Sequence, residues 1–188
     1  MNRKVYKVGF WVGIVAFGSN AAFVLVQALQ LLGILSYPFD EILIYGFSLC
    51  IVIPFLLEML ALHYVTPNDK KYWSHAALIF TIIYSVFVTA NYVVQLATVI
   101  PMTLKGASNQ ISILIQTPHS LFWDFDAIGY ISMGLATLLA VPVFEKHPEF
   151  SERLLLLGVP WVITAPMAML LLAIMFKKNI EIQGHIKE

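Results

Sequence analysis

Two aspartates stand in an otherwise apolar stretch of the sequence, HSLFWDFDAIGY at residues 119–130. An aspartate inside a membrane costs about 2.5 to 3.5 kcal/mol on insertion scales unless it faces protein or water, and such acids commonly mark ligand or proton sites. On a helix Asp126 and Tyr130 share a face, whereas Asp124 lies about 200 degrees away from Asp126. We therefore expect Asp126 to point into a helical bundle and Asp124 to lie in the first turn, near the positive end of the helix dipole.

Polar side chains form similar stripes on other apolar segments. In ANYVVQLATVI, Asn91 and Gln95 are four residues apart, and Gln27 and Tyr45 lie at a comparable distance from the ends of their own segments. At a rise of about 1.5 Å per residue, these groups and Asp126 all fall roughly 10 to 18 Å below one membrane surface. The stripes converge if they face inward, and the predicted ligand-binding residues are then Asp126, Tyr130, Asn91, Gln95, Gln27, Tyr45, His119 and Trp123. The alternative is that the amides only join helices, for about 0.6 to 2 kcal/mol each.

Glu58, in IVIPFLLEMLALHY, is a second acid inside an apolar segment and a second candidate polar site. Pro54, four residues earlier, removes a backbone hydrogen bond and predicts a kink. Glu58 is then either a neutral or hydrogen-bonded side chain at the kink, or a proton or ligand site. His63 is about 140 degrees from Glu58 around the helix, so the two do not form a metal-binding pair on one face.

The sequence contains few residues in positions suited to bind a metal ion or a cofactor. The five histidines lie near predicted segment ends or in the tail, and Cys50 is the single cysteine. The sequence has no HExxH or CxxC motif, so it predicts neither a metal site nor a haem or iron–sulfur cofactor. His119 is the one histidine that leads toward Trp123 and Asp126.

The composition indicates the surroundings in which these residues lie. The chain has 188 residues, of which 60% are hydrophobic and 12% charged, and its mean hydropathy is +0.82. Several apolar runs exceed the roughly 20 residues that cross a bilayer, and an isolated segment in lipid satisfies its backbone hydrogen bonds only as a helix. Acidic and basic residues balance at 11 each, and no basic run is present to bind nucleic acid.

The sequence predicts an all-α fold, a polytopic transmembrane helical bundle forming a single domain. The predicted spans are 6–35, 39–65, 74–101, 118–144 and 154–176. Ser74 is the predicted N-cap of the third, and Thr117 with Pro118 the predicted N-cap and first residue of the fourth. Between these two spans, ISILIQ at 111–116 is too short to cross a bilayer, which favours an interfacial or re-entrant segment.

Basic residues near the span ends indicate the orientation. Most lie on the side of the amino terminus, which we expect to be cytoplasmic in the plasma membrane (inner membrane) of a prokaryote. Lys177 and Lys178 fall on the opposite side and conflict with this orientation. A sixth span or a re-entrant loop would remove the conflict.

Two segments together carry a resemblance to known proteins. NYVVQLATVIP followed by TPHSLFWDFDAIGYISMGLA resembles a group of multi-pass membrane proteins from bacteria and archaea whose function is unassigned. The matching residues are Tyr92, Gln95, Pro101, Pro118, His119, Phe122, Asp126, Gly129, Tyr130 and Met133. The resemblance covers about a quarter of the chain and implies an integral membrane protein, with no reaction or ligand attached to it.

Three hypotheses follow, and the residues favour a binding protein over an enzyme. The first is a carrier, sensor or binding subunit with an outer-half pocket for a small amphipathic or lipid-like ligand. The second is an accessory subunit whose polar stripes meet other helices, in a homodimer or with a partner membrane protein. The third is an intramembrane enzyme in which Asp126 forms an acid–base pair with His119 or Tyr130 and acts on a lipid-like substrate.

Overall fold

Four long helices form the part of the protein that the structure describes. The computed structural model describes residues 2–144 together with Ile174 and Lys177. The helices are α1 (Asn2–Leu31), α2 (Phe39–Val65), α3 (Lys71–Val94), the short α4 (Ile100–Leu104) and α5 (Leu121–Ala140). A π-helical turn at Gln95–Val99 joins α3 to α4. The predicted all-helical class is confirmed for the described residues, which contain no strand.

This part of the chain contains four helical segments that are long and apolar enough to cross a membrane. They are Arg3–Leu31, Phe39–Val65, Asn68–Leu104 and Leu121–Phe144. Their outer faces carry large apolar side chains, such as Trp11, Ile53 and Val86, which are 65%, 61% and 60% exposed. Such faces are suited to contact with lipid, as expected of a membrane-embedded protein. The predicted fifth span at 154–176 lies outside the described residues, apart from Ile174.

Two helix ends differ from the sequence prediction on the first half of the chain. The first helix ends at Leu31, four residues before the predicted end, because Gly33 has a φ of 70° and turns the chain out of the helix. Glycine adopts this left-handed conformation at little cost and commonly follows a helix. Ser74 is not an N-cap, since α3 begins at Lys71 and the Ser74 hydroxyl donates to the carbonyl of Lys71 at 3.1 Å.

The start of α5 also lies later than predicted. Its N-cap is Ser120, whose hydroxyl oxygen accepts a hydrogen bond from the backbone N–H of Trp123 at 3.2 Å. The predicted cap, Thr117, lies outside the helix. His119 has a φ of 69°, a left-handed backbone conformation that is incompatible with a helix running through Pro118 and His119.

The long helices pack mainly with their neighbours in the chain. The closest packing is between α1 and α2, α2 and α3, and α3 and α5, and no comparable contact joins α1 to α5 among the described residues. The buried core includes Phe55, Tyr84 and Val88, and the rings of Phe55 and Tyr84 meet edge to face at 5.7 Å. Because α1 and α5 stand on either side of α2 and α3 without packing tightly together, a space bordered by all four helices remains.

One end of the bundle, called here the connection end, carries the links between α1 and α2 and between α4 and α5. At this end the side-chain amide of Gln30 donates to the buried carboxylate of Asp40 at 2.8 Å, which ties α1 to α2. The hydroxyl of Tyr37 donates to the carbonyl of Ile100 at 3.3 Å. The Tyr37 contact holds the α1–α2 link against the start of α4.

Helices α3 and α5 approach most closely at Gly129. A Cβ atom added to Gly129 would lie 2.7 Å from Cγ2 of Val88, whereas carbon atoms in contact are normally about 3.5 to 4.0 Å apart. The absence of a side chain at Gly129 therefore permits this spacing between the helices. Close packing here brings Asp126 and Tyr130 of α5 within hydrogen-bonding distance of side chains on α3.

Candidate functional site

A cavity of about 470 Å³ lies between the helices toward the connection end. Three residues of α1, three of α2, two of α3 and five of α5 line it, together with one from the connection that follows α4. They are Asn20, Phe23, Gln27, Ile44, Tyr45, Ile51, Tyr84, Tyr92, Gln116, Trp123, Asp126, Ala127, Tyr130 and Met133. The size lies within the range of pockets that hold small organic ligands, and such pockets are typically apolar with a few placed polar groups.

Asp126 is held in the cavity wall by an amide on α3. The side-chain amide of Asn91, which is completely buried, donates to Oδ1 of Asp126 at 3.1 Å. The same Nδ2 also donates to Oε1 of Gln116 at 3.1 Å. Both amide protons of Asn91 are thus engaged, which fixes the orientation of its side chain and the position of the Asp126 carboxyl group.

Gln95 holds the side chain of Asn91 and the chain at Leu114 in place by hydrogen bonds. Its Nε2 donates to the backbone carbonyl of Leu114 at 2.8 Å and to Oδ1 of Asn91 at 3.4 Å. Gln95 begins the π-helical turn, a local irregularity that is frequent at functional sites. Because Leu114 and Gln116 belong to the link between α4 and α5, two buried amides, one on α3 and one in the π-helical turn that follows it, hold this link against the cavity.

Tyrosine rings form much of the remaining wall. The hydroxyls of Tyr92 and Tyr130 lie 3.0 Å apart, and the rings of Tyr45 and Tyr92 stack at 5.2 Å with an interplanar angle of 28°. Tyr84 meets Tyr130 at 6.2 Å, with the rings inclined by 60°. Rings contributed by α2, α3 and α5 therefore form one continuous aromatic surface around the cavity.

The eight predicted ligand-binding residues do not all occupy the same place. Asp126, Tyr130, Gln27, Tyr45 and Trp123 line the cavity. Asn91 and Gln95 do not line the cavity. They lie behind its wall, where their amides hold Asp126, Gln116 and Leu114 in position. His119 is exposed in the turn before α5 and is absent from the lining, so the structure does not bring the proposed His119–Asp126 acid–base pair together in the cavity wall.

Sequence reasoning did not select several of the lining residues as ligand-binding. Gln116 stands in the short 111–116 segment, which carries no helical periodicity from which a direction can be read. Tyr84 belongs to the polar stripe of Asn91 and Gln95, and Asn20 is seven residues from Gln27, so periodicity alone was a usable signal for both. Tyr92 lies beside Asn91 on the helix, and only the position of α2 shows that its ring also faces the cavity.

Glu58 lies apart from the cavity lining. It is completely buried, and neither carboxyl oxygen has a hydrogen-bond partner among the described residues. Pro54 lies inside α2, one turn earlier. The hydrogen-bonded arrangement considered from the sequence is therefore not observed in this part of the chain.

A second, more open depression of about 520 Å³ lies at the opposite end of the bundle. His63, Lys71, Tyr72 and His75 line it, and Nδ1 of His63 lies 3.0 Å from the hydroxyl of Ser74. The described residues contain no group of three or more His, Cys, Asp or Glu side chains arranged to hold a metal ion.

The chain matched no protein-family model, no curated protein and no solved structure. What the protein does must therefore be inferred from its own residues.

Proposed function

We propose that this protein binds a small amphipathic or lipid-like molecule in the cavity between α1 and α5, as a carrier, a sensor or a binding subunit. The observation that carries the proposal is the cavity of about 470 Å³, whose lining among the described residues is mainly aromatic and aliphatic, with three neutral amides and one carboxyl group, that of Asp126. This composition suits a ligand with an apolar body and one polar group. An acid at this depth in a membrane bundle is costly unless it faces a polar partner or ligand.

The rigidity of the wall supports the same proposal. Asn91 and Gln95 are 0% and 1% exposed. Asn91 donates its amide protons to Asp126 and Gln116, and Gln95 donates to the carbonyl of Leu114 and to the side-chain oxygen of Asn91. Side chains fixed in this way lose little conformational entropy when a ligand binds, so a preorganised pocket binds more tightly than a flexible one.

The setting in the membrane forms part of the proposal. The amino terminus lies in the cytoplasm and the connection end faces outward, so the cavity occupies the outer half of the bilayer. The 105–120 link, held by Gln95 and Asn91, dips into the membrane beside the cavity rather than crossing it. The predicted fifth span, at 154–176, belongs to the same proposal.

Native mass spectrometry of the gently solubilised protein tests the proposed function. We expect the wild type to retain a small molecule of reproducible mass, and Asp126→Asn to lose most of it because the substitution removes the carboxylate from the cavity wall. Asp124→Asn is the matched control: it makes the same chemical change two residues away, at an exposed side chain that does not line the cavity.

Three outcomes are informative. Retention by wild type and Asp124→Asn but not by Asp126→Asn supports the proposal. Equal retention by all three places the ligand elsewhere. An empty wild type that also binds no added amphipathic molecule contradicts the proposal and favours an accessory subunit, in which the same polar side chains serve helix packing.

A further inference from the structure

The electrostatic character of the cavity narrows the class of ligand. Asp126 is the only acidic side chain in its lining, and no Lys, Arg or His contributes to the lining among the described residues. The side chains of α3 that donate to Asp126, the amide of Asn91 and the hydroxyl of Tyr92, are both neutral. An ionised Asp126 therefore has no positive side chain in the cavity wall, and a carboxylate in a low-dielectric interior is strongly stabilised by a cation.

The aromatic lining favours the same charge. Six of the lining residues are aromatic, namely Phe23, Tyr45, Tyr84, Tyr92, Trp123 and Tyr130. The faces of aromatic rings carry negative potential and attract cations, most strongly where water is excluded, and cages of such rings commonly bind quaternary ammonium groups. Tyr130 lies one helical turn from Asp126 on the same face of α5, which places an aromatic ring and the acid together.

Apart from the neutral amides of Asn20, Gln27 and Gln116, the rest of the lining is apolar and suits a hydrocarbon body. Phe23 and Ile44 border the cavity from α1 and α2, and Ile51 and Met133 border it further from the connection end. An anionic ligand would meet the charge of Asp126 and negative ring faces with only neutral amides to offset them. A neutral ligand would leave the carboxylate without a counter-charge.

We propose that the cavity takes an amphipathic organic cation, with an ammonium group beside Asp126 and the tyrosine rings and an apolar body along Ile44, Ile51 and Met133. This inference rests on the proposed binding function and adds the chemical class of the ligand. A free amphipathic amine and the ammonium headgroup of a lipid share this chemistry. The mass of any molecule that co-purifies with the protein distinguishes these two sources.

The test uses three water-soluble probes of similar size: hexyltrimethylammonium, the uncharged N,N-dimethylhexanamide and the anion hexanesulfonate. Binding to the purified full chain in a non-ionic detergent is measured by isothermal titration calorimetry. We expect the cation to bind at least about tenfold more tightly than either of the other probes, which is the effect expected of a desolvated cation–carboxylate contact supported by aromatic rings.

Three substitutions assign the preference to the cavity. Asp126→Asn is expected to weaken binding of the cation about tenfold and to leave binding of the amide unchanged. Tyr45→Leu, which removes the ring but keeps an apolar side chain, is expected to weaken binding of the cation more than binding of the amide. Asp124→Asn is expected to change neither.

The failure of this inference and the failure of the proposed function look different. If the amide binds as tightly as the cation, or if Asp126→Asn weakens both equally, the cavity binds ligands but does not select a cation. A co-purified molecule that is neutral or anionic and leaves on Asp126→Asn leads to the same conclusion. If no probe binds and no molecule co-purifies, the binding function itself is wrong.

Discussion

Gly129 provides the sharpest test of how helix packing supports the cavity. In Gly129→Ala the new Cβ atom would lie 2.7 Å from Cγ2 of Val88, about 0.8 Å closer than the ~3.5 Å lower end of normal carbon contacts. Val88 is completely buried and, as a β-branched residue in a helix, has essentially one side-chain rotamer. Since the valine methyl group has little freedom to rotate away, α5 must move off α3.

Two opposing free-energy contributions set the size of the change in stability. Overpacking of this kind typically costs about 1 to 3 kcal/mol, while replacing glycine by alanine inside a helix contributes up to about 1 kcal/mol of stability. We expect a net loss of roughly 1 to 2 kcal/mol, or a fall of a few degrees in the apparent Tm at about 2 to 4 °C per kcal/mol. A shift of about 0.8 Å would also stretch the hydrogen bonds from Asn91 to Asp126 and between Tyr92 and Tyr130, at 3.1 and 3.0 Å, beyond good geometry.

The assay is thermal unfolding in detergent, with ligand retention measured on the same samples. Gly134→Ala is the matched control, because it makes the same change on the same helix and its added Cβ atom has no neighbour within 4 Å; it should leave the Tm unchanged or raise it. The double variant Val88→Ala with Gly129→Ala should be more stable than the sum of the two single changes predicts. If Gly129→Ala unfolds at the same temperature as Gly134→Ala, the close approach of α3 and α5 is not as described and the reasoning is refuted.

Three further predictions concern buried polar groups, each measured by thermal unfolding of the purified protein. Glu58→Met should raise the apparent Tm, because it removes two buried oxygens that have no hydrogen-bond partner among the described residues; a lower Tm would show that the carboxyl group makes a stabilising contact. Asn91→Ala should lower the free energy of unfolding by about 1 to 3 kcal/mol, since it leaves Gln95 and Asp126 with unmade hydrogen bonds. Its control, Asn109→Ala at an exposed position, should stay within about 0.5 kcal/mol of wild type. Tyr92→Phe removes a hydroxyl that lies 3.0 Å from the Tyr130 hydroxyl and also hydrogen-bonds Asp126, and it should cost about 0.5 to 1.5 kcal/mol. Tyr92→Leu also loses the stacking on Tyr45 and should cost more, so equal losses would contradict a role for that stacking.

The class of the protein and the residues that are unusual within it could be predicted from the amino-acid sequence. Long apolar runs predict membrane-spanning helices, and the described residues form helices with no strand. Periodicity of 3.6 residues placed Asp126 with Tyr130 and Asn91 with Gln95 on common faces, because side-chain direction on a helix depends only on spacing along the chain.

Helix ends were harder to read because they depend on single residues. Gly33, with its positive φ, and the hydroxyl of Ser120 end α1 and begin α5. The apolar run to Leu35 also favoured a later end for the first helix, and Thr117 with Pro118 an earlier start for the fourth span. Local chemistry allowed either choice, and the packed chain selected one.

Which polar stripes meet depends on how the helices pack, and this could not be predicted from the sequence. The spacing of Asn91 and Asp126 along the chain carries no information about their distance, which is set by the close approach of α3 and α5 at Gly129. The part played by Gln116 depends on a link with no regular periodicity, held by contacts with α3 that are distant in sequence. A cavity is the volume left between helices, so its lining follows from how the helices pack together and not from the pattern on any one of them.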